Sequence, residues 1–391
     1  MSARSALLRP KPLVAATGSL ALGASVLLGA PAAQAGTGGG SSGPHRATVV
    51  AHGLNSPRLL SFGPRGALYV AEAGTGGSGP CVTGPTGEVC FGKTGSVTRI
   101  AHGHQRRVLT GLPSLAGDGG AEPIGPSDIR VSWGGVYVLS TGFGQEVEAR
   151  STLGPASRRM GTYSVGRLGT KRYLVLADLA KYEARHNPDH SPGHDSDPTG
   201  FIFTRNGFVG TDSGGNTLVS ARLHLRDLLS LGSGRNVRAL AVFHDVMAPQ
   251  PGGGTGPMQA VPTSVAKGPD GAYYVSQLTG FPFPPDAAHI FRVVPGHAPT
   301  VYASGLTNVT DLAWWHGRLY AVQLTDGGLL NATGLPTGSL IRVHRGHNST
   351  VDTVLGHLPA PYGVAIRHGA AYVSTCSVCA GGGGVTRVPL R

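Results

Sequence analysis

A pair of apolar strands joined by a glycine-containing turn, the second strand built around a Tyr-Val pattern, recurs six times after residue 47. The copies read PRLLSFGPRGALYVAE (57–72), PSDIRVSWGGVYVLS (126–140), PTGFIFTRNGFVGTD (198–212), PTSVAKGPDGAYYVSQ (262–277), VTDLAWWHGRLYAVQ (309–323) and PYGVAIRHGAAYVST (361–375). Such runs are hairpins, and repetition at a long period marks an array that buries its core between copies. Each hairpin is followed by a third run: 96–100, 162–168, 216–223, 288–294, 339–344 and 384–390. A fourth follows the first five, at 106–112, 173–179, 239–245, 300–306 and 353–358. The sixth copy lacks its own, but a matching run, ATVVAHGL (47–54), precedes the first hairpin. The expectation is an all-β, six-bladed β-propeller in which the N-terminal strand closes the last blade, 47–50 pairing with 385–389. Closure of this kind ties the termini together and leaves only short edges. The spacing of the Tyr-Val strands, roughly 45 to 70 residues, exceeds the WD40 and kelch periods.

The 63 glycines and 29 prolines among 391 residues would suggest disorder in an aperiodic chain. Here they fall mainly at turns between apolar runs, as hairpins require.

Residues 1–35 read as an export signal. Arg4, Arg9 and Lys11 precede an apolar, small-residue stretch at 13–30, and Ala33, Gln34 and Ala35 form a cleavage site. That stretch, about 18 residues, is at the lower limit for a membrane span. Its glycines, Pro31 and the cleavage motif favour removal, leaving a linker at 36–46, the propeller at 47–391 and no membrane association. Cleavage would lower the formal charge from +12 to +9, since three cations leave with the signal. The remaining cations are scattered among turns, without the basic stripe and interleaved aromatics of a nucleic-acid surface, so no nucleic-acid partner is expected.

Four cysteines in an exported chain should be paired. Cys81 and Cys90 bracket one short loop, and Cys376 and Cys379 follow the last Tyr-Val strand. Local pairing of Cys81 with Cys90 is simplest. Cross-pairing between the first and last blades, which are ring neighbours, stays open, and a four-cysteine zinc site is the functional alternative.

In a propeller the loops after second and fourth strands emerge on one face. Here these are the long ones, including 73–95, 141–161, 180–197, 246–261, 278–287 and 324–338, so this face is the working face. Polar residues at its strand ends are Glu72, Asp128, Asp197, Asp212, Asn216, Thr263, Gln277, Asn308, Asp311 and Gln323. They suit a small polar ligand or a calcium ion, or they satisfy loop backbone. Gln277, Phe281 and Phe283, on a proline-stiffened loop, are expected to border a ligand site at the channel mouth. His186, His190 and His194, with Asp195, are candidate metal ligands. Their spacing of four would align them on a helix, but Pro188, Pro192 and Gly193 forbid one. The GxGxxG match at 74–79 lacks the helix that dinucleotide binding needs.

The segments GPCVTGPTGEVCFGKTG (79–95), GLPSLAG (111–117) and MQAVPTSVAKGPDGAYYVSQLTGFPFPPDAAHIFRVV (258–294) resemble the ScyD/ScyE family of secreted propellers. The resemblance spans the mature chain and implies a six-bladed, NHL/TolB-like propeller without an established activity. The three loop histidines and the C-terminal CxxC depart from the family pattern.

Two functions are consistent with these features. One is a secreted, non-catalytic propeller that binds a small molecule, glycan or protein on its loop-rich face. The other is a calcium-dependent lactonase or gluconolactonase-like hydrolase with Glu72, Asp128, Asp212 and Asn308 as ligands. The second rests on fold analogy alone.

Overall fold

The structure is a computed structural model that describes residues 46–390, except 85–86, 224–228 and 347–349. The signal at 1–35 and all but the last residue of the linker lie outside the described residues. Six antiparallel sheets form blades 1 to 6 in chain order, and each runs outward from an innermost strand. The innermost strands are Pro57–Phe62, Pro126–Val131, Pro198–Thr204, Pro262–Lys267, Val309–Trp315 and Val364–Arg367. Five sheets carry their own fourth strand. In blade 6 the outermost strand is Thr48–Leu54 from the N-terminus, paired antiparallel with Gly383–Pro389, with Thr48 opposite Arg387 and Leu54 opposite Gly383.

The first-to-second turns explain themselves locally. His316 and Gly317 have φ of 48° and 73°, and His368 and Gly369 have 48° and 69°. Two consecutive left-handed residues make the turn whose twist matches the flanking strands. The second strands read as continuous apolar runs because both of their faces are covered. Successive side chains alternate between faces. Leu68 and Val70 pack with Ala51, Leu54 and Val385 toward blade 6, whereas Tyr69 and Ala71 pack with Ile129, Tyr137 and Leu139 of blade 2. Each of the other four joints has its own cluster: blades 2 and 3 around Tyr163 and Phe201, 3 and 4 around Val209 and Val275, 4 and 5 around Ile290 and Leu312, 5 and 6 around Val322 and Val373. Hydroxyls add bonds across the joints. Ser140 donates to the Pro198 carbonyl at 3.0 Å, Ser213 to Pro262 at 2.7 Å and Ser374 to Arg58 at 2.7 Å.

The long loops of the working face hold elements that the strand pattern does not announce. Helices span Ala149–Leu153 and Leu179–His186, and Val246–Pro249 pairs with Thr255–Met258 as a separate hairpin. Asp178 caps the second helix by accepting the Lys181 N–H at 3.1 Å, and Asn187, with φ 37°, ends it. In blade 1 the third strand begins at Glu88 rather than at residue 96, and Cys81–Thr83 pairs with its extension. Both disulfides are local, Cys81 with Cys90 and Cys376 with Cys379, so the cross-paired and zinc alternatives fall away. Among the described residues no helix is long and apolar enough to cross a membrane.

Ring closure depends on a single strand, so it can be tested there. Leu54 is 1% exposed in the joint between blades 6 and 1. Leu54→Ala should cost about 2–5 kcal/mol of stability, read by denaturant unfolding. Removing residues 46–54 should expose an unpaired strand edge and produce self-association in size-exclusion chromatography.

Candidate functional site

The channel is described by corresponding positions of the six hairpin copies. The third residue of the innermost run in each is Leu59, Asp128, Gly200, Ser264, Asp311 and Gly363, and all six are buried. Leu59 is 2% exposed and lies against Gly200, where a β-carbon would stand 3.0 Å from its Cδ1. Asp128 and Asp311, in opposite blades, are latches rather than ligands. Asp128 accepts the N–H of Ile129 at 2.8 Å, that of Phe201 in the next blade at 3.1 Å, and Arg130 at 2.9 Å. Asp311 likewise accepts Leu312 N–H at 2.8 Å, Val364 N–H of blade 6 at 2.7 Å, and the Ser264 hydroxyl of blade 4 at 2.6 Å.

One position nearer the working face stand Arg58, Ser127, Thr199, Thr263, Thr310 and Tyr362. Four of these, Arg58, Ser127, Thr199 and Tyr362, line a cavity of about 210 Å³ with Asp197, Leu278 and Leu324. Thr263 and Thr310 instead donate to the carbonyls of Val309 at 3.0 Å and Tyr362 at 2.6 Å. The Arg58 guanidinium lies over the Tyr362 ring, 4.6 Å from its centroid, and donates to the Pro123 carbonyl. Burial pushes the Asp197 carboxyl up to about 6, opposed by the Phe143 N–H it accepts at 2.9 Å and by the Arg58 charge. A cation, the carboxyls of Asp197 and the exposed Glu122, the hydroxyls of Ser127 and Thr199, the Tyr362 ring and two leucines thus meet in a space that suits a small polar molecule.

Of the residues singled out from the sequence, Asp197 lines this cavity, whereas Glu72, Asp128, Asp212, Gln277, Phe281, Phe283, Asn308 and Gln323 do not. Gln277 and Gln323 end the second strands of blades 4 and 5, and their carboxamide oxygens accept backbone N–H groups, from His289 and Thr307 respectively, both at 2.9 Å. The next residue on each chain, Leu278 and Leu324, is the one that lines the cavity. Phe281 is 52% exposed and Phe283 half-buried; their rings meet edge to face at 6.3 Å, and neither lines the cavity. Glu72 is held by Arg107 at 2.8 Å, by Thr98 at 2.6 Å and by the Asn55 N–H at 2.8 Å. Asn308 donates to the Leu278 carbonyl at 2.7 Å and accepts Leu329 N–H at 3.2 Å. Asp212 accepts Ser196 at 2.6 Å and Asp197 N–H at 2.7 Å, and burial pushes it up to about 7.

The histidines of the 186–197 loop differ in role. His186 ends the Leu179–His186 helix and packs on Tyr182 at 4.8 Å, His190 is left-handed and exposed, and His194 donates its N–H to Glu146 at 3.3 Å. Among the described residues the only three potential ligand atoms of His, Cys, Asp or Glu within 4.8 Å of one another belong to Cys81, Glu88 and Cys90, two of which are in a disulfide. Arg58 and Tyr362 share the register of Thr263, but neither is the carboxylate, amide or aliphatic hydroxyl type by which polar channel positions are recognised in the sequence. Their shared register on the innermost strands was the signal available.

No protein-family model matches the sequence, and no curated protein matches it. The architecture is that of a six-bladed β-propeller, and one solved structure, at a TM-score of 0.51, shares the fold. That structure is a glucose dehydrogenase, to which the chain is similar at 12% identity, covering 88% of this chain and 100% of that one. An oxidoreductase of the glucose dehydrogenase type from Thermus thermophilus follows at 15%, 88%, 99% and 0.44. Virginiamycin B lyase from Staphylococcus aureus stands at 10%, 88%, 100% and 0.42. Likeness at this identity shows the fold alone.

The buried carboxyls predict a pH dependence. Burial is the first cause in each case, and it pushes Asp311 and Asp212 up to about 7 and Asp197 up to about 6. The folded state then holds protons more tightly than the unfolded chain, so the stability these groups contribute is present below about pH 4 and lost as pH rises through 6–7. The unfolding midpoint should be higher at pH 5 than at pH 8, and Asp311→Asn should flatten part of that slope. A midpoint that is level or rises toward pH 8 would contradict the assignment.

Proposed function

We propose that the protein is an exported, non-catalytic β-propeller that holds one small polar molecule, a single sugar ring or small carboxylic acid, at the mouth of its channel. The observation that carries this reading is Arg58. Its guanidinium is stacked on Tyr362 beside a cavity and makes one hydrogen bond within the described residues, leaving donors for a ligand. A carboxylate or a vicinal diol can accept from those donors, and the ring of Tyr362 with Leu278 and Leu324 provides apolar contact. The volume, about 210 Å³, lies below the roughly 300–1,000 Å³ of drug-sized sites. The cavity lining contains neither histidine nor cysteine, and its serine and threonine hydroxyls are engaged, Ser127 with the Gly125 carbonyl at 3.3 Å and Thr199 with Thr211 at 2.8 Å. That favours binding over hydrolysis. The residues suggested for a calcium-dependent hydrolase, Glu72, Asp128, Asp212 and Asn308, are occupied by partners of their own, which gives that reading no support.

Export rests on the apolar stretch with its cleavage motif and on the two disulfides, which persist outside the reducing cytosol. Membership of the ScyD/ScyE family is part of the same proposal and rests on the sequence resemblance.

Calorimetric titration with a panel of monosaccharides, uronic acids and small carboxylic acids tests the site. Arg58→Gln should weaken binding by about 10–100-fold, the range for a hydrogen bond to a charged group, with the unfolding midpoint moved by less than about 3 °C. The Phe281→Ala/Phe283→Ala double variant should bind as the parent does. Binding lost in the phenylalanine variant and kept in Arg58→Gln would move the site to the exposed loop.

A further inference from the structure

Behind Asp197 lies a second group of carboxyls that the channel-mouth cavity does not use. The turn between the second and third strands of blade 3 contains Gly214, Gly215 and Asn216, and a carboxyl from the 180–197 segment rests on each. Asp195 Oδ2 lies 2.6 Å from where a β-carbon on Gly214 would stand, and Glu183 Oε2 lies 2.5 Å from one on Gly215. Asp189 Oδ2 accepts the Asn216 side-chain amide at 2.9 Å. Only glycine permits the first two approaches.

Glu183 is the anomaly. It is 1% exposed, yet neither carboxyl oxygen has a hydrogen-bond partner. A buried carboxylate without donors or counter-charge is costly, and native structures provide a partner for such groups. The neighbours do not supply one. Among the described residues Asp189, Asp195, Asp212 and Glu183 form no ion pair with any Lys, Arg or His. Asp212 is satisfied by Ser196 and by the N–H groups of Asp197 and Gly215, and Asp189 by Ser191 and Asn216. Glu183 is not.

We propose that this turn is the floor of a site for a hard divalent cation, calcium, with Glu183 and Asp195 as its carboxylate ligands and Asp189, held by Ser191 and Asn216, adding negative charge beside them. All the donors are oxygens, which excludes soft-metal preference, and calcium tolerates the irregular geometry and mixed carboxylate and carbonyl shells that a loop offers. The ligand oxygens of Glu183, Asp189 and Asp195 do not converge within 4.8 Å of one another in this structure. Binding draws the Glu183 and Asp195 side chains inward over the turn. The site also has a structural consequence. It fastens the Leu179–His186 helix to blade 3, and through the Asp197 N–H bond to Asp212 at 2.7 Å it adjoins the ligand cavity.

The test uses the full mature protein, stripped with chelator and dialysed, and compares unfolding midpoints in about 5 mM CaCl2 or MgCl2 with NaCl of equal ionic strength. That concentration exceeds the roughly 0.1–1 mM dissociation constants of extracellular calcium modules. Calcium should raise the midpoint by roughly 3–6 °C and magnesium by less. Glu183→Gln should abolish the calcium shift while folding at least as well as the parent in chelator. Asp195→Asn, on the loop rather than in the helix, serves if Glu183→Gln does not fold, and it too should reduce the shift. A parent protein unmoved by calcium, with no metal found by elemental analysis before stripping, overturns the proposal. So does a calcium shift that survives in both variants.

Discussion

Everything in this molecule depends on the joint between neighbouring blades. A four-stranded sheet of this length cannot bury both of its faces alone, and each blade here gives alternate side chains to the blade before it and the blade after it. Leu68 and Val70 belong to one joint, Tyr69 and Ala71 to the next. No blade is therefore complete without two neighbours, and a linear array would leave two apolar faces in water. The ring is the arrangement that leaves none, and the N-terminal strand makes it a single cooperative object by linking the first residues of the fold to the last blade.

This constraint explains how much of the architecture was legible. Period and turn chemistry suffice for the six hairpins, because a strand covered on both faces must read as an apolar run and His-Gly or Gly-Gly pairs mark its turns. The displaced strand at 47–54 followed from counting, and the observed pairing with Gly383–Pro389 extends to Leu54, beyond the 47–50 expected. The helices at Ala149–Leu153 and Leu179–His186 were not visible in the same way. They are short, lie inside loops, and are held by tertiary contacts, such as Arg150 with Asp178 at 2.8 Å, rather than by a long periodic face. Pro188 did stop a helix, as expected, but only after His186.

The candidate site was less legible for a geometric reason. Side chains on a strand alternate, so a one-residue change reverses which side is presented. Gln277 and Gln323 were chosen as polar strand ends, yet Leu278 and Leu324 are the residues that face the cavity. Polarity is a poor guide at such positions, since glutamine and asparagine there satisfy loop backbone as readily as they meet a ligand. Arg58 carried a better signal. It is the one cation among the six equivalent second positions, the others being Ser127, Thr199, Thr263, Thr310 and Tyr362. Departure from a repeat locates function more sharply than residue type does, because structural demands are the same in every copy.

The buried acids extend that reasoning. Four solutions to one problem coexist in this propeller. Glu72 takes an arginine, Asp128 takes an arginine and backbone N–H groups, and Asp311 relies on backbone N–H groups and a serine. Glu183 takes nothing, although it lies against Gly215 and near the carboxyls of Asp189, Asp195 and Asp212. In a fold where local and global preferences agree almost everywhere, a conflict that persists is the expected mark of a functional position. Its cost is tolerable only if the fold elsewhere is secure, and blade 3 is held on both sides by the aromatic joint with blade 2 and the apolar joint with blade 4. The rigid ring is what permits carboxyls to gather over this buried turn.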